Sequence, residues 1–566
     1  MGNPPERALV LGKDTRSFLA VVRSLGRAGV EVHVGWHGRD PVALRSRYVA
    51  LALDLPEPDV DEGWEEPILA LLRRERFDLV LPTNDPAILA LHRLRGSLDP
   101  AWRVWLPSPR ALDACLDKLA TWELARSLDL PVPRQVRVRD PGEARAAAAE
   151  LGFPVAVKSR IAFALGRRKW EHNVVRIARD ELQLEAYLGA RLEVGEALVQ
   201  EHVPGDGVGV ELLAEGGEVL LAFQHRRVHE LLTGGSSYRR SERLNPELLD
   251  AARRLMKALD YTGVAMVEFR EERATGRWRL IEINARTWGS LPLAVACGAD
   301  FPRALYRLLV HGEREPARAY RSGICCRNWW MDLHWLEHHR DAVPRVMGEW
   351  LRVLALRERS DTFVLDDPLP GLIDARRNLR AVGGIVLERL HRLALEIGPV
   401  RRRHARRLGA AVAGARSLLF VCKGNICRSP FAEAHARSLL PGSVEVRSAG
   451  YRGESGRPCP REAVAVARAL GHDLRGHRSV TLDDDLIDEA DLVFVFDEPT
   501  RRAVLERRPA AGAKVQRLGL LAADAPLNIK DPYGGPFEGY ERTYRDIARA
   551  MCGALAEGSD WRGAPP

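Results

Sequence analysis

The sharpest chemistry in the sequence lies in the run Leu418-Leu419-Phe420-Val421-Cys422-Lys423-Gly424-Asn425-Ile426-Cys427-Arg428-Ser429-Pro430. An apolar stretch of strand character ends in a cysteine, an arginine follows six residues on, and Ser-Pro opens a helical pattern. A strand, a short polar loop and a helix N-terminus together present backbone N–H groups and the positive end of a dipole to an anion in the loop. That field favours the thiolate of Cys422, its nucleophilic form. Arg428 can clamp two oxygens of a bound phosphate. The pattern points to phosphoester hydrolysis through a covalent intermediate, with Cys422 as nucleophile and Arg428 as holder of the oxyanion. Gly424 lets the backbone approach the phosphate, Asn425 can hold the loop through side-chain hydrogen bonds, and Ser429 can steady the thiolate. Spacing alone is not sufficient. Cys297 also precedes an arginine, Arg303, by six residues, but the intervening Gly-Ala-Asp-Phe-Pro lacks Gly-Asn and no Ser-Pro helix start follows, so Cys297 reads as a packing residue.

Val-Cys-x-Gly-Asn-x-Cys-Arg-Ser-Pro resembles the signature of the low-molecular-weight protein tyrosine phosphatases, over about the last 150 residues. The resemblance implies that Asp531, in Asp531-Pro532-Tyr533, protonates the leaving phenol and then activates the hydrolytic water; by itself Asp-Pro is also ordinary turn chemistry. It implies a protective disulfide between Cys427 and Cys422 on oxidation, a small buried cysteine being the plainer reading, and an aromatic substrate wall at Tyr533. No cofactor is expected for this part. One position departs from the family: after His477 come Arg478-Ser479-Val480, without the usual later arginine. Arsenate-reducing relatives relay a disulfide through further cysteines downstream. Here none lies between Cys459 and Cys552, which favours a phosphatase.

A second constellation lies upstream. Asp117-Lys118 opens a helical stretch, Phe153–Lys158 is a strand ending in lysine, and Leu198–Val203 is a strand running into Pro204-Gly205. Val264–Phe269 and Leu280–Arg286 are further strands. Alternate residues of a strand share a face, which puts Glu282, Asn284 and Arg286 together. Two oxygen donors and a guanidinium on one face suit Mg²⁺ and a triphosphate. Glu268 on a nearby strand supplies a second carboxylate, and Lys118 and Lys158 neutralise phosphate charge.

This set resembles the ATP-grasp superfamily over roughly the first 312 residues. The resemblance implies that Lys118 and Lys158 contact ATP phosphates, that Glu201 and Val203 lie at the adenine hinge, and that Glu268, Glu282 and Asn284 hold Mg²⁺ or Mn²⁺. Arg286 would stabilise the transferred phosphoryl group. ATP-grasp enzymes activate a carboxylate as an acyl-phosphate and join it to an amine or thiol, chiefly by positioning and charge neutralisation. The loop after Lys158, glycine-rich in many members, here reads Ser159–Lys169 with a single glycine; Arg167, Arg168 and Lys169 either serve phosphate or form a solvated basic loop. Asp206 and Glu211 are alternatives for the ribose-contacting acid, and Arg227 is either an acceptor-carboxylate contact or a surface residue. Thr233–Ser237 reads as a loop near the site.

The elements that position these residues read as α/β throughout. Residues 1–115 form a small Rossmann-like unit with parallel strands at Ala8–Leu11, Val30–Val34 and Phe77–Leu81. The loop Gly12-Lys13-Asp14-Thr15 after its first strand reads as a plain turn. Residues 116–312 form the ATP-grasp α+β domain. Residues 313–415 form a helical, basic connector, with a packed aromatic helix at Trp329–Trp335, a turn at Asp366-Asp367-Pro368 and an exposed basic run at Arg401–Arg407. Residues 416–560 form the phosphatase domain, a four-stranded parallel sheet with the catalytic loop after its first strand.

The 566 residues are of ordinary globular composition, 46% hydrophobic and 29% charged, with a net charge of +8. Eight scattered cysteines suit a reducing cytosol better than a disulfide framework. The N-terminus lacks the basic-then-apolar pattern of a signal peptide, and no apolar run approaches the ~18 residues of a membrane span. Basic residues are dispersed and no nucleic-acid-binding signature accompanies them, so nucleic acid is not an expected partner. Only eight of the 85 basic residues are lysine, and Lys118, Lys158 and Lys423 fall at motif positions. The expected partners are a phosphotyrosine protein or small phosphoester for one half, and ATP with an unidentified carboxylate and amine for the other. The competing expectation is a phosphatase whose ATP-grasp half is a non-catalytic, ATP-binding regulatory module.

Overall fold

Four short apolar strands, Arg7–Leu11, Glu31–Gly35, Val49–Ala52 and Leu79–Pro82, open the computed structural model as a parallel sheet in the order third, second, first, fourth. Alternation along the first strand sends Ala8 and Val10 into one core and Leu9 and Leu11 into another. The amphipathic helix Thr15–Arg27 covers the first face with Phe18, Val22 and Leu25; Glu65–Arg74 covers the second with Ile68 and Leu72. The structure describes residues 5–555 apart from 14, 39–41, 59–60, 162–174, 193–194, 232–233, 317–318, 340–341, 343, 347, 350–357, 397 and 453–454. The basic residues Arg167, Arg168 and Lys169, and Thr233, lie outside the described residues.

Two further sheets follow in this first unit, Met1–Arg380. One is four-stranded and antiparallel: Gln135–Val138, Ala197–Glu201, Val155–Ser159 and Arg176–Ala178, in that spatial order. Helices Pro141–Leu151 and Glu181–Leu192 bury Ala144, Leu151, Leu184 and Leu188 in the core shared with it. The other is seven-stranded, running from Trp278–Asn284 through Gly263–Glu271, Asp206–Glu215, Glu218–Glu230 and Ser236–Glu242 to the short strands Cys325–Arg327 and Glu358–Ser360.

The segment read as a connector therefore contributes two strands to this sheet. A buried ionic cluster fastens it there. Arg327, fully buried, pairs with Asp332, with Glu358 at 3.1 Å and with Glu349 at 3.3 Å, and its guanidinium lies 3.7 Å over the Tyr238 ring. His229 Nδ1 lies 2.7 Å from Asp332 Oδ1, and Arg239 pairs with Asp361. The Asp366-Asp367 turn is also tied down. Buried Asp367 accepts hydrogen bonds from Arg23 Nε (2.8 Å), Ser46 Oγ (2.6 Å) and the Arg47 amide (3.0 Å).

The second unit, Ala381–Pro566, holds a four-stranded parallel sheet ordered Glu445–Gly450, Ser417–Cys422, Leu492–Val495, Val515–Arg517. Helices Arg428–Leu439, Arg461–Ala469 and Phe537–Leu555 pack together through Phe431, Val466, Tyr544 and Ile547. The basic run lies on helix Gly398–Gly414, with Arg402, Arg403, Arg406 and Arg407 exposed. Leu408 and Val412 enter the core, and Arg401 Nη2 donates to the carbonyls of Gly519, at 3.1 Å, and Ala525.

Candidate active sites

The strand Ser417–Cys422 is the buried centre of its sheet, and its last residue delivers Cys422 to the start of the loop. Cys422 is 3% exposed. Its Sγ lies 3.0 Å from Ser429 Oγ and receives the Asn425 amide at 3.3 Å. Asn425 sits at φ 52°, a conformation its short polar side chain tolerates. Its Nδ2 donates to Ser429 Oγ at 2.9 Å and to Ser448 Oγ at 2.8 Å, while its Oδ1 accepts from the Val480 amide at 2.8 Å. His477, the last residue before the family departure at Arg478, places Nε2 2.9 Å from the Asn425 carbonyl. The loop backbone rests on Gly450, where a Cβ would lie 2.9 Å from both the Asn425 nitrogen and the Gly424 carbonyl carbon. At Gly424 a Cβ would meet only the Ile426 side chain, at 3.6 Å, so contacts within the protein do not demand glycine there.

Arg428 opens the helix and is 2% exposed. Its Nη1 donates to Asp497 Oδ2 at 2.5 Å and to the Ile529 carbonyl at 3.1 Å, and its Nη2 donates to Asp531 Oδ2 at 2.8 Å. Burial works against its charge, but the Cys422 thiol, Asp531 and Asp497 more than offset that and hold its proton tightly. Asp497 was not read as a site residue. Burial pushes its carboxyl up, yet Thr500 and Arg428 bring it below the ordinary range. Its only local signature is as the N-cap of helix Glu498–Arg507. Cys427 is buried, and burial together with Asp531 and Cys422 pushes its thiol well up. Tyr533, beside Asp531, is 59% exposed.

In the first unit a single cavity of about 1030 Å³ gathers the second constellation. Lys118, Lys158, Glu201, Val203, Glu268, Glu282, Asn284 and Arg286 all line it. Asn284 Nδ2 bridges the carboxylates, donating to Glu268 Oε1 at 3.1 Å and Glu282 Oε1 at 3.3 Å. Two carboxylates converging on one amide, with lysines beyond, are a hard-oxygen donor set that fits a divalent cation. The pair titrates apart. Burial raises Glu268, with the neighbouring Glu282 adding to it against Arg227; Glu282 is also buried, but Lys118 and Lys158 bring it below the usual range. Lys158, 4% exposed, is lowered to about 7 by burial and by Lys118, with Glu282 opposing.

The cavity extends to residues not read as functional. Arg286 Nε donates to Asp85 Oδ2 at 2.8 Å, and its Nη2 to Asn284 Oδ1 at 3.1 Å. Asp85 follows Asn84, the N-cap of helix Asp85–Arg93, at the C-terminal end of the first sheet, where open α/β sheets bind ligands. Lys13, which follows Gly12, and Arg16, in helix Thr15–Arg27, line the same cavity. Arg227 lines it too and pairs with Glu268 at 2.6 Å, so it is not a surface residue. Neither alternative for the ribose acid is among the cavity residues. Glu211 is fully buried against Ser290 Oγ (2.7 Å) and His225 Nδ1 (2.9 Å), and Asp206 pairs with Arg226 and Arg273. The Glu201 carboxylate is engaged by Arg134, whose amide and Nε donate at 3.0 and 2.9 Å.

Cysteine, arginine and aspartate thus meet at the end of a four-stranded parallel sheet, and residues 417–558 match the family model for low molecular weight phosphotyrosine protein phosphatase. Through these residues the chain belongs to that family. It is 38% identical over 136 residues to the Probable low molecular weight protein-tyrosine-phosphatase EpsP of Ralstonia nicotianae, a match covering 24% of this chain and 91% of that protein. It is also 38% identical over 141 residues to a protein-arginine-phosphatase of Geobacillus stearothermophilus, covering 25% of this chain and 93% of the relative. Residues 193–329 match the family model for ATP-grasp in the biosynthetic pathway with Ter operon, so the first unit carries an ATP-grasp domain. Among solved structures, the biotin carboxylase–beta-gamma-ATP complex of Campylobacter jejuni aligns with 57% of this chain and 74% of its own, at 15% identity and a TM-score of 0.46.

Proposed function

We propose that the chain is a bifunctional enzyme. Its second unit hydrolyses phosphomonoesters through a phosphocysteine on Cys422, without a cofactor. The observation that carries this reading is the convergence of Asp531 on Arg428, beside a Cys422 thiol that already accepts a backbone N–H. Cys422 attacks phosphorus while Arg428 holds the equatorial oxygens and Asp531 gives its proton to the leaving oxygen. Asp531, now a carboxylate, takes a proton from the water that releases phosphate. Gly424, Asn425 and Ser429 shape and hold the loop, and Cys427 shields Cys422 as a disulfide under oxidation. The substrate is a phosphotyrosine protein or a small aryl phosphoester, with Tyr533 offering an aromatic face. The equal similarity to a relative named protein-arginine-phosphatase makes phosphoarginine the second substrate class. Paired kcat/KM measurements on phosphotyrosine and phosphoarginine peptides decide between them. Cys422→Ser should abolish p-nitrophenyl phosphate hydrolysis; activity surviving in that variant refutes the assignment.

The first unit is proposed to activate a carboxylate with ATP and join it to an amine. Lys118 and Lys158 bind the phosphates, the backbone near Glu201 and Val203 receives adenine, and Arg286 neutralises the phosphoryl group in transfer. Glu268, Glu282 and Asn284 would hold Mg²⁺ or Mn²⁺, which would offset charge on the phosphates. Support comes from the presence of all eight residues in one cavity. ADP release with pooled amino acids and peptides tests it; ATP binding without turnover selects the regulatory-module reading. A cytosolic setting is proposed from the eight cysteines scattered along the sequence, too sparse for a disulfide framework; among the described residues no helix is long and apolar enough to cross a membrane.

A further inference from the structure

The ATP-grasp cavity is closed in part by a residue from the segment that follows the domain. His339, at the end of helix Trp329–His338, lines it. Three aromatic rings lie in a stack: His229 on Trp335 at 3.9 Å and 6° between planes, and Trp335 on His339 at 4.1 Å and 9°. The inner ring is fully buried and held by Asp332 at 2.7 Å and Glu349 at 3.4 Å. The outer ring is half-buried, and its Nδ1 lies 2.9 Å from the Trp335 carbonyl. A carbonyl oxygen only accepts, so Nδ1 carries the proton and Nε2 keeps its lone pair in the neutral ring. A ring fixed in plane and in tautomer, at a ligand cavity, has the form of an oriented base.

Three carboxylates and one further imidazole of the cavity are engaged, while His202, which also lines it, lies on the exposed segment after strand Ala197–Glu201. Asp85 is bonded to Arg286 at 2.8 Å, Glu230 to Arg270 at 2.8 Å, and Glu268 to Arg227 at 2.6 Å. His225 is 1% exposed and faces Glu211. We propose that His339 is the general base for the acceptor amine in the ligation step. This rests on the ligase reading above. As the amine nitrogen attacks the acyl carbon, Nε2 takes its proton. The C–N bond forms, the acyl C–O bond to phosphate breaks with its electron pair leaving on phosphate, and the imidazolium returns the proton to that phosphate.

The test uses the full chain with ATP, Mg²⁺ and a pool of amino acids, dicarboxylic acids and short peptides. It is run with and without hydroxylamine, a nucleophile largely unprotonated at neutral pH that traps acyl-phosphates as hydroxamates without enzymic help. The expected result is that His339→Gln and His339→Ala make hydroxamate at the wild-type rate, which also shows an intact fold, while amide formation falls about 100-fold. Imidazole in the buffer should restore part of the His339→Ala loss. Amide formation within threefold of wild type in both variants, or equal loss of amide and hydroxamate, overturns the role of His339 and leaves the ligase standing. A wild-type chain that makes no hydroxamate overturns the ligase reading itself, and the role of His339 with it.

Discussion

Arg428 and Asp531 lie 103 residues apart and are joined by a 2.8 Å hydrogen bond from Nη2 to Oδ2. The group proposed to receive phosphate and the group proposed to protonate the leaving oxygen are thus in contact with no substrate bound. On that proposal an incoming phosphate would take up the guanidinium and free Asp531 to turn toward the leaving group.

Asp531→Asn should therefore keep Arg428 hydrogen-bonded yet lose the proton. The expected loss in kcat is about 100-fold or more for phenyl phosphate. It should be much smaller for p-nitrophenyl phosphate, whose leaving group needs little protonation. Steady-state rates across a series of aryl phosphates check this through a steeper dependence on leaving-group pKa.

Gly450→Ala tests how the loop is seated. The added Cβ would lie 2.9 Å from the Asn425 nitrogen, a distance real contacts do not tolerate, so the loop must lift. A shift of order 1 Å at a catalytic group costs about 100-fold in rate. The expected outcome is a loss in kcat/KM of that size with the chain still folded, measured by phosphatase assay beside circular dichroism.

Lys158 gives a pH prediction with a definite sign. Its native value, about 7, lies below the ordinary 10.5, so between the two the unfolded chain binds a proton that the native state does not. Stability therefore gains from Lys158 as pH rises through that window. A bound polyphosphate restores the proton, so ATP binding at pH 8 should take up about one proton and weaken as pH rises. Calorimetry in two buffers of different ionisation enthalpy measures the uptake, and Lys158→Arg should remove it.

Arg327→Met should destabilise the first unit by about 3–5 kcal/mol, because Asp332 and Glu358 would be left buried without their cation. Differential scanning calorimetry should show that unit's transition falling, while p-nitrophenyl phosphate hydrolysis at 25 °C stays unchanged.

The residues of the phosphate loop were readable because a strand, loop and helix start adjacent in sequence form their geometry locally. Cys422, Asn425 and Ser429 span eight positions and bond to one another. Alternation along one strand likewise put Glu282 and Asn284 on one face, and Asn284 reaches across to Glu268 on the neighbouring strand. Periodicity also located the four parallel strands of the phosphatase sheet and three of the four in the first sheet, but not Val49–Ala52, whose residues are mostly exposed.

What the chain order does not carry is which distant segments meet. Asp497 reaches Arg428 across 69 residues, Asp85 reaches Arg286 across 201, and Asp367 reaches Arg23 across 344. Each is an acid in a turn or at a helix start, a pattern that ordinary capping explains equally well. The same limit hid His339 and the strands Cys325–Arg327 and Glu358–Ser360, and it made Glu211 look available when the fold buries it completely. Local bonding rules determine which residues can hold a phosphate. Packing among segments far apart in the chain decides which carboxylates and imidazoles stand beside them, because burial and pairing belong to the assembled core and not to any stretch of it.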